Sequence, residues 1–171
     1  MEMTGLDPAR CHVLEMATLV TDGDLNLIAE GPSLVLHATE EELQSLSDWS
    51  RDTFTRSGLL DRVRASTISR EDGEALTLGF LREHVVQQSA PLCGNSIWND
   101  RMFIIRQMPR LHEFLHYRNV DVSSFKEVLR RWHPTRFSPP PKHNKHEAMA
   151  DIHESLAELR YYRDQFIAPR A

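Results

Sequence analysis

One run, Cys11 to Val20 (Cys-His-Val-Leu-Glu-Met-Ala-Thr-Leu-Val), constrains the fold more than any other stretch. It is apolar on both alternations, as expected of a strand buried on both faces. Asp22-Gly23 follows as a hairpin signal. Leu25 to Ala29 and Ser33 to His37 read as further strands, interrupted by Gly31-Pro32. Beyond them helix and strand alternate. Thr39 and Glu42 fit a capping box and predict a helix from about Glu40 to Trp49. The polar stretch Ser50 to Gly58 leads into a short amphipathic piece, Leu59 to Ala65. Ser69 and Asp72 start another helix, in which Ala75, Leu76, Leu78, Phe80, Leu81 and Val85 form a wide apolar face. Gly79 inside that helix costs about 1 kcal/mol relative to Ala, which points to close packing there. Pro91 to Asn95 reads as a strand, Asp100 to about Met108 as a helix, and Pro109 as the first turn of the next. Asn119 to Val122 is a strand, and Ser123 or Ser124 caps the helix after it. Pro134 to Asn144 is a proline-rich loop, and a long helix runs from about Lys145 to Phe166 with Met149, Ile152, Leu156 and Leu159 as its core stripe. Strands first and alternation afterwards predict an α/β chain: a mixed central sheet flanked by helices, in a single domain spanning 1–171. Ligands of such sheets bind beyond the carboxyl ends of strands. Glu2, Asp100 and Asp151 all fit that rule, with Glu2 ending a first strand.

The chain of 171 residues carries a net charge of -5. Gripping a long nucleic acid requires a basic stripe, because phosphate contacts supply most of the non-specific affinity. None is visible, so a nucleic-acid substrate would be short and held by a few placed contacts. No apolar run approaches the roughly 20 residues that cross a bilayer. Cys11 and Cys93 sit in apolar, strand-like contexts and read as reduced core residues, not as a disulfide.

Four stretches carry the chemistry: Glu2-Met3-Thr4-Gly5-Leu6-Asp7, Cys93-Gly94-Asn95-Ser96-Ile97-Trp98-Asn99-Asp100, His116-Tyr117-Arg118-Asn119-Val120-Asp121-Val122-Ser123 and His146-Glu147-Ala148-Met149-Ala150-Asp151. Taken singly, Glu2 is a solvated terminal acid and Asp100 and Asp151 are first-turn acids favoured by the helix dipole. Taken together, they are carboxylates scattered in sequence that can converge at a sheet edge. Phosphodiester hydrolysis needs that, because two divalent ions about 3.5–4 Å apart neutralise the attacking and leaving oxygens and hard cations take oxygen ligands. His146 adds a group that titrates near neutral pH. Five residues separate it from Asp151, about 140° of helix rotation, so it is expected at or before the helix start, with Asn144 as cap. The Thr4-Gly5 turn leaves Leu6 exposed, and Gly5 lets a ligand come close.

The four motifs together resemble the oligoribonuclease family, a branch of the DEDD exonucleases with an active-site His. The likeness covers nearly the whole chain, including Ser155 to Arg163. It implies a ribonuclease H-like fold, a homodimer, two Mg²⁺ or Mn²⁺ ions and 3′-5′ cleavage of very short RNA, chiefly 5′-phosphorylated dinucleotides. By motif, Glu2, Asp100 and Asp151 would be metal carboxylates and His146 the general base. Met3 and Leu6 would bind substrate, Leu6 wedging between two bases, and Trp49 would stack on a base. Ser96 and Ser123 would cap the 5′-phosphate, with Tyr117 and Arg118 contributed by the partner subunit. The chain departs from the family in two places. Phe54 stands where many relatives carry a His, and the Asp that leads the family's first motif has no counterpart before Glu2, so the first strand is expected to be truncated. The alternatives are a proofreading-type DNA exonuclease and a catalytically impaired protein that binds dinucleotides. The expected location is the cytoplasm, or the mitochondrion if a presequence precedes the chain. No membrane or long nucleic acid is expected as a partner.

Overall fold

The computed structural model describes residues 1–141 and 147–167. Five strands and eight helices alternate through the described residues. The strands are β1 (Glu2–Met3), β2 (Val13–Thr21), β3 (Leu27–Val35), β4 (Pro91–Gly94) and β5 (His116–Asp121). The helices are α1 (Glu40–Leu43), α2 (Asp48–Arg56), α3 (Leu59–Ala65), α4 (Arg70–His84), α5 (Ile97–Gln107), α6 (Pro109–Phe114), α7 (Val122–Trp132) and α8 (Ala148–Phe166).

β2 is the central strand of an antiparallel sheet in the order β1-β2-β3, while β4 and β5 form a parallel pair. Both strand senses expected of a mixed sheet are therefore present, but in two sheets. β1 has two residues and pairs with β2 alone, matching Glu2 to Glu15 and Met3 to Val13. In the run that constrained the fold, Cys11, Val13, Leu14, Glu15, Met16 and Val20 are buried, while His12, Ala17, Thr18 and Leu19 are half-buried. Val13 and Met16 enter a core with Phe103, Ile104, Met108 and Leu111, and Leu14 enters a second core with Leu43, Phe54, Leu59 and Val63. A third core gathers Val122, Leu129, Leu159 and Tyr162 between α7 and α8.

β3 is one strand, not two. Ala17 pairs with Ser33 and Leu19 with Glu30, so Gly31 and Pro32 lie opposite Thr18 in a bulge. An edge-strand bulge is where a proline's missing N–H costs no ladder bond. Leu25 leaves the expected strand and takes a left-handed backbone (φ 63) in the hairpin loop, where Asp22 Oδ1 accepts from the Asp24 and Asn26 N–H groups.

Both capping boxes form, at Thr39/Glu42 and Ser69/Asp72. The first helix, however, stops at Leu43, and the stretch expected to be polar loop becomes α2, capped by Ser47. Burial of Thr53 and Phe54 holds α2 in place. On α4 the buried residues are Gly73, Glu74, Thr77, Leu78 and Leu81, whereas Ala75 and Leu76 face outward. Gly79 has nothing within 4 Å of where a Cβ would stand, so the expected close contact is absent. Close approach belongs to Gly31, where a Cβ would stand 2.7 Å from the Phe80 ring. Cys11 is buried, but Cys93, on the two-stranded sheet, is exposed. On α8 Leu159 is buried and Met149, Ile152 and Leu156 are half-buried. Among the described residues no helix is long and apolar enough to cross a membrane.

Candidate active site

Three elements bring the expected carboxylates together. Glu2 lies in β1, Asp100 in the first turn of α5, and Asp151 in the first turn of α8. Asp100 Oδ1 pairs with the Met1 ammonium at 3.2 Å. Burial works against that positive charge, but Asp100, Glu2 and Asp151 outweigh it and hold the amine above its ordinary range. Glu2 shows the converse. Burial raises its carboxyl, the charges of Asp151 and Glu15 add to the effect, the ammonium opposes it, and the group is pushed up to about 7. It also shares a hydrogen bond with Asp151. Crowded acids resist ionising together, and an added cation relieves the crowding.

A second constellation lies where β4 meets α5. Ser96 has a left-handed backbone, φ 49. Its N–H donates to Asp121 Oδ1 at 3.0 Å and to Ser123 Oγ at 2.9 Å. The Ser96 and Ser123 hydroxyl oxygens stand 3.2 Å apart, so the structure joins two predicted residues that lie 27 apart in sequence. Asn95 anchors the turn. Its Oδ1 accepts from Ser123 Oγ, and its Nδ2 donates to Ser155 Oγ and Glu158 Oε2. Asp121, not a serine, caps α7, accepting from the Ser123 N–H.

Leu6 is 64% exposed and Trp49 is 62% exposed. Their neighbourhoods are tied where Ser45 Oγ donates to Thr4 Oγ1 at 2.7 Å. Gly5 is required for close approach of a different kind from the one expected, since a Cβ there would stand 2.7 Å from Cys11 Sγ. Met3 is half-buried and packs against the first core. Phe54 is buried in the second core. Tyr117 is 74% exposed on β5, with the Arg118 guanidinium 5.3 Å from its ring centre. His146, the expected base, and Asn144, its expected cap, lie outside the described residues. α8 begins at Ala148, two residues beyond His146.

The chain resembles known proteins along nearly its whole length. The RNase T type exonuclease family matches residues 1–159. The chain is 52% identical over 167 residues to the oligoribonuclease of Thiobacillus denitrificans, covering 98% of this chain and 92% of the relative. It is 50% identical to that of Azoarcus sp., with the same coverage. It is 52% identical to that of Pseudomonas aeruginosa, covering 98% and 93%. The chain belongs to the oligoribonuclease family.

Among the described residues of this oligoribonuclease-family chain, no three His, Cys, Asp or Glu side chains are grouped so as to hold a metal ion. The donor chemistry of Glu2, Asp100 and Asp151 nonetheless suits a hard divalent cation. Sequence reading missed Glu15. It is 2% exposed on β2 and accepts from Arg62 Nη1 at 3.0 Å and from the Ala148 N–H at 2.9 Å. The available signal was one acid inside an otherwise apolar run.

Proposed function

We propose that the protein is a 3′-5′ exoribonuclease that degrades very short RNA, chiefly 5′-phosphorylated dinucleotides, to mononucleotides. The observation that supports the reading is the family match over nearly the whole chain, together with Glu2, Asp100 and Asp151 standing on three separate elements with Glu2 and Asp151 hydrogen-bonded. Those carboxylates would hold two Mg²⁺ or Mn²⁺ ions. Such ions supply neutralisation of charge on the attacking and leaving oxygens. His146 takes the proton of the attacking water. Leu6 and Trp49, both exposed, present apolar faces to the bases. Stacking of that kind is worth about 1–3 kcal/mol per base and tolerates any sequence.

Ser96 and Ser123, with hydroxyls 3.2 Å apart, receive the 5′-phosphate. Tyr117 and Arg118 of a second copy in a homodimer close over it. Charge-assisted contacts around one terminal phosphate favour short substrates, because a longer chain has no room to continue past them. Two free cysteines, without a disulfide, agree with a reducing compartment such as the cytoplasm.

The test is hydrolysis of a 5′-phosphorylated RNA dinucleotide with Mn²⁺, wild type against His146→Ala. Removing the base is expected to lower kcat by about 10²–10⁴-fold, and an unchanged rate overturns the role of His146. A second reading, retention of dinucleotides without turnover, keeps the exposed Leu6 and Trp49 faces for the bases and dispenses with hydrolysis. It predicts tight binding in EDTA and no hydrolysis in Mn²⁺. Competition by the matching DNA dinucleotide separates RNA from DNA specificity.

A further inference from the structure

We propose that Glu15 is a positioning residue, which fixes the start of α8 and thereby holds Asp151 against the strand pair that carries Glu2. The proposal rests on the exoribonuclease reading for its kinetic consequence and on geometry for the rest. Glu15 lies in the central strand of the antiparallel sheet, and its Cα partner across β1 is Glu2. A carboxylate buried there is costly unless both oxygens are matched. Both are. Oε1 accepts from Arg62 Nη1 at 3.0 Å, and Oε2 accepts from the Ala148 N–H at 2.9 Å.

The second bond is the informative one. α8 starts at Ala148, and its N-cap residue, Glu147, makes no side-chain capping bond. The first amides of a helix have no partner within the helix, and a negative charge near them is favoured. Glu15 supplies acceptor and charge from a different layer of the molecule, 133 residues away in sequence. Asp151 is in the same turn, its N–H bonded to Glu147 O at 3.0 Å. Sliding or fraying of that turn displaces Asp151 relative to Glu2. Arg62 reaches in from α3 with a side chain 44% exposed, which leaves its far side hydrated while it balances the buried charge.

The test compares Glu15→Ala, Glu15→Gln and Arg62→Met with wild type. His153→Gln serves as control, because it removes a separate, exposed tie between α8 and Glu30 of β3. The readouts are kcat and KM for the 5′-phosphorylated RNA dinucleotide, amide exchange along α8, and the thermal midpoint. Glu15→Ala is expected to lower kcat about 10–100-fold, the range for losing a supporting group behind a reacting one, with KM moving about threefold or less. Exchange at Ala148 to Asp151 should speed by about tenfold or more, while Glu158 to Tyr162 keep their protection. Glu15→Gln keeps an acceptor for Ala148 but loses the charge matched to Arg62, so it should fall between wild type and Ala. His153→Gln should match wild type.

A folded Glu15→Ala protein with wild-type kcat overturns the proposal, as does exchange that rises uniformly along the chain. If Glu15→Ala does not fold, wild-type kcat and exchange in both Glu15→Gln and Arg62→Met overturn it. If the wild-type protein hydrolyses no dinucleotide, the exoribonuclease reading falls, and the exchange pattern still decides whether Glu15 fixes α8.

Discussion

Glu2 is half-buried beside Asp151 and Glu15. Its carboxyl therefore moves from an ordinary 4.5 to about 7. The folded protein keeps a proton that the unfolded chain releases, so this group's stability is present below pH 4.5 and is lost as pH rises through about 7. With divalent ions chelated, Glu2→Gln should remove that loss, worth on the order of 2–3 kcal/mol between pH 5 and pH 8. Urea unfolding at both pH values measures it, and parallel behaviour of wild type and variant would contradict it. Arg118 makes the second residue-scale prediction. Its guanidinium lies exposed against Tyr117, and charge-assisted contacts to phosphate run to roughly 1.5–3 kcal/mol. Arg118→Ala should cut the preference for a 5′-phosphate over a 5′-hydroxyl about tenfold or more, leaving turnover of the unphosphorylated dinucleotide unchanged. The positions of Asp100 and Asp151 in the first turns of their helices were legible because the motifs are local. Glu15 was not, because a lone acid in an apolar run is an exception whose partner lies 133 residues away.

At the level of elements, local signals and tertiary burial parted company in definable places. Both capping boxes are local hydrogen-bond patterns, and both form where the sequence places them. α2 escaped because its sequence holds few apolar residues, and two buried ones, Thr53 and Phe54, suffice to dock it. β3 escaped because Gly31-Pro32 reads as a break, whereas the sheet absorbs it as a bulge. Two glycines test this account in opposite directions. Gly79→Ala, with open space around the new methyl, should stabilise the protein by about 0.5–1 kcal/mol. Gly31→Ala places a methyl 2.7 Å from the Phe80 ring and should destabilise it by about 1–3 kcal/mol. Thermal unfolding of both variants measures the difference, and equal signs would show that the packing around one of them is wrongly described. The Ser96–Ser123 contact could not be read from spacing. It exists because the parallel β4–β5 pair places Gly94 opposite Asp121, just ahead of both serines.

Over the whole molecule, a net charge of -5 weighs against a grip on many phosphates. A protein gripping six to ten phosphates loses about 10³–10⁵ in affinity between 50 and 200 mM salt. One that engages a single terminal phosphate should lose about tenfold or less over the same range. The most direct test of the central claim is a length competition: 5′-phosphorylated RNA of two nucleotides against ten, mixed in equal amounts with Mn²⁺, with products followed over time. The account predicts that the dinucleotide disappears first, with a kcat/KM about tenfold or more above that of the decamer, and that EDTA stops both. Faster consumption of the decamer would contradict it.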